Sequence, residues 1–421
     1  MGACCSCQAR VPSHYGSNIV EDDDERKEVE GNEFRLGGDS GAHVHLQGSS
    51  KFVSMYSKQG MKGNNQDAMT VWENFTGDKD MVFVGVFDGH GPSGHKVASY
   101  VRDNLPSRLS SPNKGSSVTG SDIGGDDGIN NDVSGDANGL EESQDPFYLS
   151  WKPKILSAFK DTDEELEADA SIETYCSGTT AVTVFRKGEH LIIANLGDSR
   201  AVLCSTGENN QLVAAQLSVD LKPNIPSEAE RVASCQGRVM AMQEEPNVYR
   251  IWMPDEDCPG LAMSRAFGDF CLKDFGLIST PQLFYRKLTP KDEFVVLATD
   301  GVWDVLPNDE VVAVVASARS RSLAAKMVVE RAVRAWRFKY PCAKADDCAV
   351  VCLFFHRRRP SLTKTYSEVA RLNSGHLDIG AQRYKQSMKN DDGLDTVLNY
   401  NLKEGTRNRR NVGRKFEFVE S

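Results

Sequence analysis

Short apolar runs separated by turns dominate the middle of the chain. The runs are five to eight residues long and rich in β-branched and aromatic residues, and they lie at positions 81–87, 179–185, 191–196, 201–205, 293–298 and 348–355. Runs of this length and composition predict buried β-strands rather than helices. The Gly-Asp-Ser sequence at 197–199 predicts a hairpin between the third and fourth runs.

Amphipathic stretches are fewer, and they predict four helices. These lie at 153 to about 167, 227–235, 308–318 and 323–338, and the second opens on SEAE, the pattern of a capping box. Strands outnumber helices and often follow one another directly, which disfavours a doubly wound parallel sheet. The pattern therefore predicts an α+β fold, a central β-sandwich of two antiparallel sheets flanked by helices.

Three polar segments lie outside this pattern. Residues 1–50 are poor in aromatics and carry six carboxylates between positions 21 and 28, which predicts a disordered acidic tail. Residues 107–145 are almost entirely Gly, Ser, Asp and Asn, which predicts a disordered insertion. Residues 357–421 predict a flexible basic tail, with 14 Lys and Arg against 8 Asp and Glu. The folded domain is expected to span residues 51–356.

The 421-residue chain as a whole is acidic, with a net charge of −11. A nucleic-acid-binding surface needs a basic face, so no nucleic-acid partner is expected. No run approaches the ~18 consecutive apolar residues of a membrane span. No apolar segment near the N-terminus is typical of a secretory signal, so a cytoplasmic protein is expected.

Aspartates recur at the ends of the predicted strands. They are Asp67, Asp88, Asp198, Asp300 and the pair Asp346 and Asp347. Carboxylates brought together in this way repel by ~4 kcal/mol per pair at 4 Å and an effective dielectric constant of 20, so a cation must neutralise them. Oxygen ligands select Mg²⁺ or Mn²⁺ over Zn²⁺. A single Asp-Gly pair is usually only a turn former, but the recurrence within one domain favours a metal site.

Seven motifs identify a resemblance to a known family. They are KQGMKGNNQDA (58–68), VGVFDGHG (84–91), SGTTAV (177–182), ANLGDSRAVL (194–203), DLKPNIPSEAERV (220–232), GLAMSRAFGD (260–269) and ATDGVWDV (298–305). In this order they resemble the type 2C, metal-dependent serine/threonine protein phosphatases, over residues ~52 to 356. The resemblance implies the same sandwich fold and phosphorylated proteins as substrates.

The resemblance also implies a dinuclear Mn²⁺ or Mg²⁺ centre. Asp88 matches the carboxylate that bridges the two ions, Gly89 the backbone carbonyl ligand, and Asp300 the second side-chain ligand. Such a centre makes a water nucleophile available near neutral pH for attack on phosphoserine or phosphothreonine. His90 matches the general acid of the family, although a structural turn residue is the alternative.

Further ligands are implied around these. Asp346 resembles the ligand before the last core strand, but Asp347 stands where the family usually has Asn, which leaves open which of the two binds metal. Asp67 resembles an outer ligand acting through metal-bound water. Asp198 and Asp304 resemble the ligands of a weaker third ion.

Two positions depart from the family pattern. Lys62 stands where the family has an Arg that binds the substrate phosphate, and a lysine offers a point charge rather than a bidentate fork. The family's Met-Glu-Asp is here Asn65-Gln66-Asp67, so one outer carboxylate is missing. Neither change alters the principal ligands, and activity is expected to survive.

Two other classes of function remain as alternatives. One is a pseudophosphatase that uses the fold as a binding module, which the presence of Asp88 and Asp300 disfavours. The other is a Ca²⁺ site, but no Asp-x-Asp-x-Asp-Gly loop of the EF-hand kind occurs. Substrate recognition is expected at residues 237–259, where Tyr249 and Trp252 have no evident core role.

The N-terminus predicts attachment to a membrane surface. The sequence MGACCS places Gly2 in a myristoylation pattern, and Cys4 and Cys5 are candidates for palmitoylation. Two acyl chains are needed for stable anchoring, which would hold a monomeric enzyme at the plasma membrane. This combination resembles plant members of the family. A flexible initiator segment with incidental cysteines is the alternative, and the sequence leaves a nuclear location open.

Overall fold

The computed structural model describes residues 34–37, 42–46, 52–111, 143–257 and 260–355. Its strands are β1 (Phe34–Gly37), β2 (Ala42–Leu46), β3 (Val53–Lys58), β4 (Asp67–Glu73), β5 (Met81–His90), β6 (Gly178–Thr179), β7 (Ala181–Lys187), β8 (His190–Leu196), β9 (Arg200–Thr206), β10 (Leu212–Gln216), β11 (Arg238–Ala241), β12 (Tyr249–Trp252), β13 (Phe267–Gly268), β14 (Gln282–Lys287), β15 (Asp292–Ala298) and β16 (Cys348–Phe354). Its helices are α1 (Gly94–Ser110), α2 (Pro146–Ala168), α3 (Pro226–Ser234), α4 (Phe270–Lys273), α5 (Asp300–Trp303), α6 (Asn308–Ser317) and α7 (Ala324–Lys339), with 3₁₀ turns at Phe75–Gly77 and Arg321–Leu323.

The strands form two large sheets and one separate hairpin. The first sheet has the order β1-β2-β4-β5-β7-β8-β14, with β6 and β13 attached beside β5. The second has the order β10-β9-β15-β16-β3, and β11 pairs only with β12. All pairings between these strands are antiparallel except that of β2 with β4.

Strands buried on both faces explain the continuous apolar runs of the sequence. On β15, Val295 and Leu297 pack into the core between the two sheets, where they meet Val84 and Val184 of the first sheet. The alternate residue Val296 packs into a second core under α6 and α7. Because successive side chains of a strand point to opposite faces, a strand between two cores is apolar throughout.

Helices cover the outer face of each sheet. Phe83 and Phe185 of the first sheet pack against α1 and α2, which contribute Leu105 and Phe159. On the other side α6 and α7 cover the second sheet, and Trp336 of α7 is almost fully buried there. The layers are helix, sheet, sheet and helix, which confirms the predicted fold class.

The boundaries of the polar segments differ from the prediction. Strands at Phe34–Gly37 and Ala42–Leu46 extend the first sheet, so a disordered tail over all of 1–50 is wrong for these residues. Val44 is buried against the sandwich core, which explains why this pair of strands docks there. The insertion predicted at 107–145 overlaps α1 as far as Ser110, and most of its remainder lies outside the described residues. The tail predicted at 357–421 also lies outside them.

Two helix predictions require correction. Helix α1 was not predicted; Gly94 begins it and Pro106 lies inside it, and both residue types weaken a helical pattern. Helix α2 begins at Pro146 rather than Pro153. Asp145 caps it by accepting a hydrogen bond from the Phe147 amide at 2.9 Å, and Pro146 occupies the first turn.

Among the described residues, no helix is both long and apolar enough to cross a membrane.

The predicted hairpin at 197–199 is also wrong. Strand β8 belongs to the first sheet and β9 to the second, so the chain crosses between the sheets at this turn. Gly197 adopts a φ of +98°, a conformation that glycine tolerates best. The crossing places Asp198 between the two sheets at one end of the sandwich.

Candidate metal centre and active site

Two of the predicted carboxylates lie opposite each other on neighbouring strands. Asp67 opens β4 and is the register partner of Asp88 near the end of β5. The next residue, Gly89, packs so closely on its neighbours that an added Cβ would clash with the Gly94 carbonyl and lie 2.6 Å from the Gln66 oxygen. A residue with a side chain therefore does not fit at Gly89 without a backbone shift.

The second sheet supplies two more carboxylates from neighbouring strand ends. Asp300 begins α5 directly after β15, and Asp346 precedes β16, which pairs with β15. Helix α5 is fixed to the core because Trp336 Nε1 donates a hydrogen bond to the Gly301 carbonyl at 2.7 Å. Thr299 joins the two sheets: its hydroxyl donates to Asp67 Oδ2 at 3.0 Å and accepts from the Ala349 amide at 3.0 Å.

These carboxylates lie close enough to shift one another's protonation. Burial, followed by repulsion from Asp300, Asp67 and Asp346, raises the pKa of Asp88 well above its usual range. Burial and then Asp346 and Asp304 raise the pKa of Asp300 to about 8. Burial and neighbouring carboxylates likewise raise the pKa of Asp67. The ionised cluster is unfavourable without additional positive charge.

The donor atoms fit a hard divalent cation. Asp67 Oδ1 and Asp198 Oδ1 are buried and have no hydrogen-bond partner within the described ranges. Over the same ranges, no three His, Cys, Asp or Glu side chains close around one point as a ready ligand shell. Carboxylate oxygens are the ligands that Mg²⁺ and Mn²⁺ prefer, so the two unpartnered oxygens suit such a cation.

Asp346 and Asp347 have different environments. Both carboxylate oxygens of Asp347 accept backbone hydrogen bonds, from the Gly60 amide at 2.6 Å and the Gln66 amide at 2.8 Å. Asp347 thereby fixes the loop before β4. Asp346 instead contacts Lys62 and acts electrostatically on Asp300 and Asp88. The geometry favours Asp346 as the candidate ligand.

Two lysines interact with the carboxylate cluster. Burial opposes the charge on Lys62, but Asp346, Asp300 and Asp88 outweigh it and raise the pKa of the ammonium. Lys222 Nζ lies 2.9 Å from Asp198 Oδ2, and this partner outweighs burial and lowers the pKa of Asp198. Asp198 therefore has less need of an added cation than Asp300 has. Asp304 lies one helical turn after Asp300, whose pKa it helps to raise.

His90 is the last residue of β5 and has a buried acidic partner. Its Nε2 lies 2.5 Å from Asp269 Oδ2, and the Asp269 side chain is only 4% exposed. Burial opposes a charged imidazole, but Asp269, Asp198 and Asp300 together raise the pKa of His90. These carboxylates favour the protonated imidazole over the neutral one.

Comparisons with known proteins decide the family. The family model "Protein phosphatase 2C" matches residues 52–337. The chain belongs to this family. It is therefore a protein serine/threonine phosphatase of a metal-dependent family, as the motifs predicted, and phosphorylated proteins are its substrates.

Relatives from plants support the assignment. The chain is 53% identical to "Probable protein phosphatase 2C 65" of Arabidopsis thaliana over 358 residues, which cover 85% of this chain and 89% of that protein. It is 54% identical to "Probable protein phosphatase 2C 73" of Oryza sativa subsp. japonica over 74% of each chain. The serine-threonine phosphatase 2C from Toxoplasma gondii shares the fold, with a TM-score of 0.60 at 24% identity over 74% of this chain and 96% of that one.

Sequence reasoning missed three residues that support the phosphatase site. Asp269, Lys222 and Thr299 all lie inside the quoted motifs, but only contacts in three dimensions pair them with His90, Asp198 and Asp67. Nothing in the local sequence around these residues indicates their partners.

The surface predicted for substrate recognition is only partly exposed. Strands β11 and β12 form a hairpin there, and Tyr249 is 41% exposed. Trp252 is 5% exposed and its Nε1 donates to the Met240 carbonyl at 3.0 Å. Trp252 is therefore a packing residue, contrary to the prediction. The N-terminal residues Gly2, Cys4 and Cys5 lie outside the described residues.

Proposed function

We propose that this phosphatase works with two divalent cations, Mn²⁺ or Mg²⁺. Asp88, the Gly89 carbonyl, Asp300 and Asp346 would hold them, and Asp67 would act through a bound water. The observation that carries this proposal is the convergence of Asp67, Asp88, Asp300 and Asp346 from neighbouring strand ends, where they raise one another's pKa values. Buried carboxylates with raised pKa values outside any structural ion pair are typical of functional sites.

The remaining chemistry would come from the chain itself. Divalent cations supply Lewis acidity, which makes water nucleophilic near neutral pH and balances charge on the phosphoryl group. Lys62 would attract the substrate phosphate as a point charge. His90, held by Asp269, would donate a proton to the serine or threonine oxygen as it leaves, because an alkoxide is a poor leaving group.

A weaker third cation is proposed beside the first two. Asp198 and Asp304 would hold it, and the buried Asp198 Oδ1 supports this assignment. Because Lys222 already pairs with Asp198, an ion there would bind less tightly than at Asp300.

Hydrolysis of a phosphoserine peptide by the full-length protein tests the proposal. We expect turnover with Mn²⁺ or Mg²⁺ and none with EDTA or with Ca²⁺ alone. Metal-independent turnover would contradict the ligand assignment. Absence of turnover with every divalent metal would favour the pseudophosphatase alternative. We propose a monomeric enzyme, which light scattering at assay concentrations would check.

A location at the cytosolic face of the plasma membrane is also proposed. It is supported by the myristoylation pattern at Gly2 and by the cysteines Cys4 and Cys5. Labelling with an alkynyl myristate analogue should mark the wild type and not Gly2→Ala. The Gly2→Ala protein should fractionate with the cytosol, whereas loss of both cysteines should leave weak, reversible binding. Absence of label on the wild type would contradict the membrane proposal without affecting the enzyme assignment.

A further inference from the structure

Two free cysteines lie next to each other near the His90–Asp269 pair. Cys176 Sγ lies 3.7 Å from Cys271 Sγ, and the two thiols are not joined. Cys271 is 4% exposed on α4, whereas Cys176 is partly exposed in the segment before β6. A small oxidant in solution can therefore reach Cys176 directly, and Cys271 is placed to react with the product.

The segments that carry the two cysteines are joined through their backbones. The Asp269 amide donates to the Ser177 carbonyl at 3.0 Å, and the Cys271 amide donates to the Tyr175 carbonyl at 3.0 Å. These hydrogen bonds tie the backbones of the two segments to each other. A displacement at either cysteine would therefore be passed on to Asp269, two residues before Cys271.

The same segments pack directly on the imidazole of His90. Gly178, two residues after Cys176, is so close that an added Cβ would clash with the Asp269 carboxylate and lie 2.7 Å from His90 Nε2. Gly178 thus packs against the contact between His90 and Asp269. This contact therefore depends on the positions of the two segments that carry Cys176 and Cys271.

We propose that Cys176 and Cys271 form a reversible disulfide on exposure to a peroxide, and that this disulfide lowers turnover by displacing Asp269 and Gly178 from His90. The Cys176 thiolate attacks hydrogen peroxide, the O–O bond breaks, and a sulfenic acid and one water form once the thiol proton is included. The Cys271 thiol then attacks the sulfenic sulfur, the S–O bond breaks and a second water leaves. Two thiols are oxidised and one peroxide is reduced to two waters, and a dithiol reverses the change by exchange.

The geometry explains why the effect would reach the active site. A disulfide requires an S–S distance of about 2.05 Å, so the sulfurs at 3.7 Å must approach by roughly 1.7 Å. Displacements of about 1 Å can cost ~10²-fold in rate, and part of this movement would reach His90. Burial raises the pKa of both thiols, so the reaction is slower than that of an activated cysteine. In a reducing compartment such a disulfide would be transient, as expected of a sensor.

Peptide mapping of the oxidised full-length enzyme tests the proposal. The reduced protein is treated with hydrogen peroxide, alkylated, and digested without reduction, and its turnover on a phosphoserine peptide is measured in parallel. We expect a linked peptide that joins Cys176 to Cys271, a loss of turnover of at least about tenfold, and recovery with dithiothreitol. Cys176→Ser and Cys271→Ser should both keep their turnover in peroxide. Cys342→Ser, which removes an exposed thiol elsewhere, should respond like the wild type.

Three results would overturn the proposal. They are the absence of the linked peptide, a linked peptide with unchanged turnover, and an equal loss of turnover in Cys176→Ser. The effect on turnover rests on the proposed role of His90, whereas the disulfide does not. If His90→Asn proved fully active on the phosphopeptide, the role of His90 would fail while the peptide map still decided the disulfide.

Discussion

Two carboxylate sites in this phosphatase, one around Glu228 and one around Asp300, have opposite electrostatics. Glu228 on α3 is 2% exposed, and it accepts hydrogen bonds from Arg265 at 2.6 Å, Arg231 at 2.7 Å and the Ser264 hydroxyl at 2.6 Å. Burial opposes its charge, but the two arginines outweigh it and lower the pKa of Glu228 to about 2. Asp300 is half-buried among other aspartates, and burial together with Asp346 and Asp304 raises its pKa to about 8.

The difference shows that burial alone does not decide the direction in which the pKa of a carboxylate shifts; its charged neighbours do. A buried carboxylate with arginine partners has its charge neutralised within the chain and contributes to the fold. A buried carboxylate with carboxylate neighbours needs a cation from outside the chain. Glu228 is therefore a structural residue, and the Asp88–Asp300 cluster is the candidate metal centre. Substitutions that remove one charge from each group should have opposite consequences.

The largest expected effect is on stability, from Glu228→Gln. The change leaves two arginines without their shared partner, and we expect the free energy of unfolding to fall by about 3 kcal/mol, measured in urea. Because the pKa of Glu228 is lowered, its contribution is present above the ordinary pKa of about 4.5 and is lost as the pH falls towards about 2. The protein that remains folded should keep its turnover. An unchanged stability would show that the arginines contribute nothing through Glu228.

Asp300→Asn should have the reverse effect. We expect turnover at saturating Mn²⁺ to fall at least ~10²-fold, because a candidate metal ligand is lost. The metal-free protein should melt at a higher temperature than wild type at pH 8, because a buried repulsive charge is removed. Asp309→Asn, at an exposed position on α6, is the matched control and should change neither property. Wild-type turnover in Asp300→Asn would contradict the dinuclear assignment.

His90→Asn should separate substrates by their leaving groups. We expect turnover of a phosphoserine peptide to fall by about 10²-fold, whereas p-nitrophenyl phosphate, whose leaving group needs no proton, should be affected little. Steady-state rates on the two substrates make the comparison. Equal losses on both would indicate a structural role for His90 instead of proton donation.

The smallest expected effect comes from Lys62→Arg. An arginine can present two parallel donors to a phosphate, so KM for the phosphopeptide should fall by up to about tenfold, 1.4 kcal/mol, with kcat unchanged. Lys79→Arg, at an exposed position, should leave KM as it is. A rise in KM with Lys62→Arg would show that Lys62 fits its contact with Asp346 better than arginine does.

The sequence predicted the features that depend on a local pattern of residues, namely the strands, the fold and the family. The apolar runs identified most of the buried strands, and the motifs identified the fold and the family. The capping box at Ser227–Glu230 was wrong, because Ile225 precedes the helix, Ser227 caps nothing there, and Glu228 turns to Arg265 and Arg231. Arg231 lies one helical turn from Glu228, but Arg265 lies 37 residues along the chain, so spacing does not indicate this second partner.

Contacts between residues far apart along the chain account for the other differences between the prediction and the structure. The role of Asp347 depends on amides at Gly60 and Gln66, more than 280 residues away, and Asp269 meets His90 across 179 residues. The turn sequence at 197–199 predicts a hairpin because it does not reveal that the next strand joins the other sheet. These contacts follow from which strands become neighbours in the fold, within a sheet as for His90 and Asp269 or between the sheets as at Asp198.

The central claim is that the Asp88–Asp300 cluster needs a cation. Mn²⁺ titration of the metal-free protein, followed by thermal melting at pH 6 and pH 8, tests this claim most directly. With a pKa raised to about 8, Asp300 favours the metal-free fold below its unfolded pKa, and this contribution is lost as the pH rises through about 8. A cation must displace that proton, so we expect Mn²⁺ to raise the melting temperature more at pH 8 than at pH 6. The rise should persist in Glu228→Gln and be largely lost in Asp300→Asn. A melting temperature that Mn²⁺ does not change at either pH, or an equal rise in Asp300→Asn, would contradict the account.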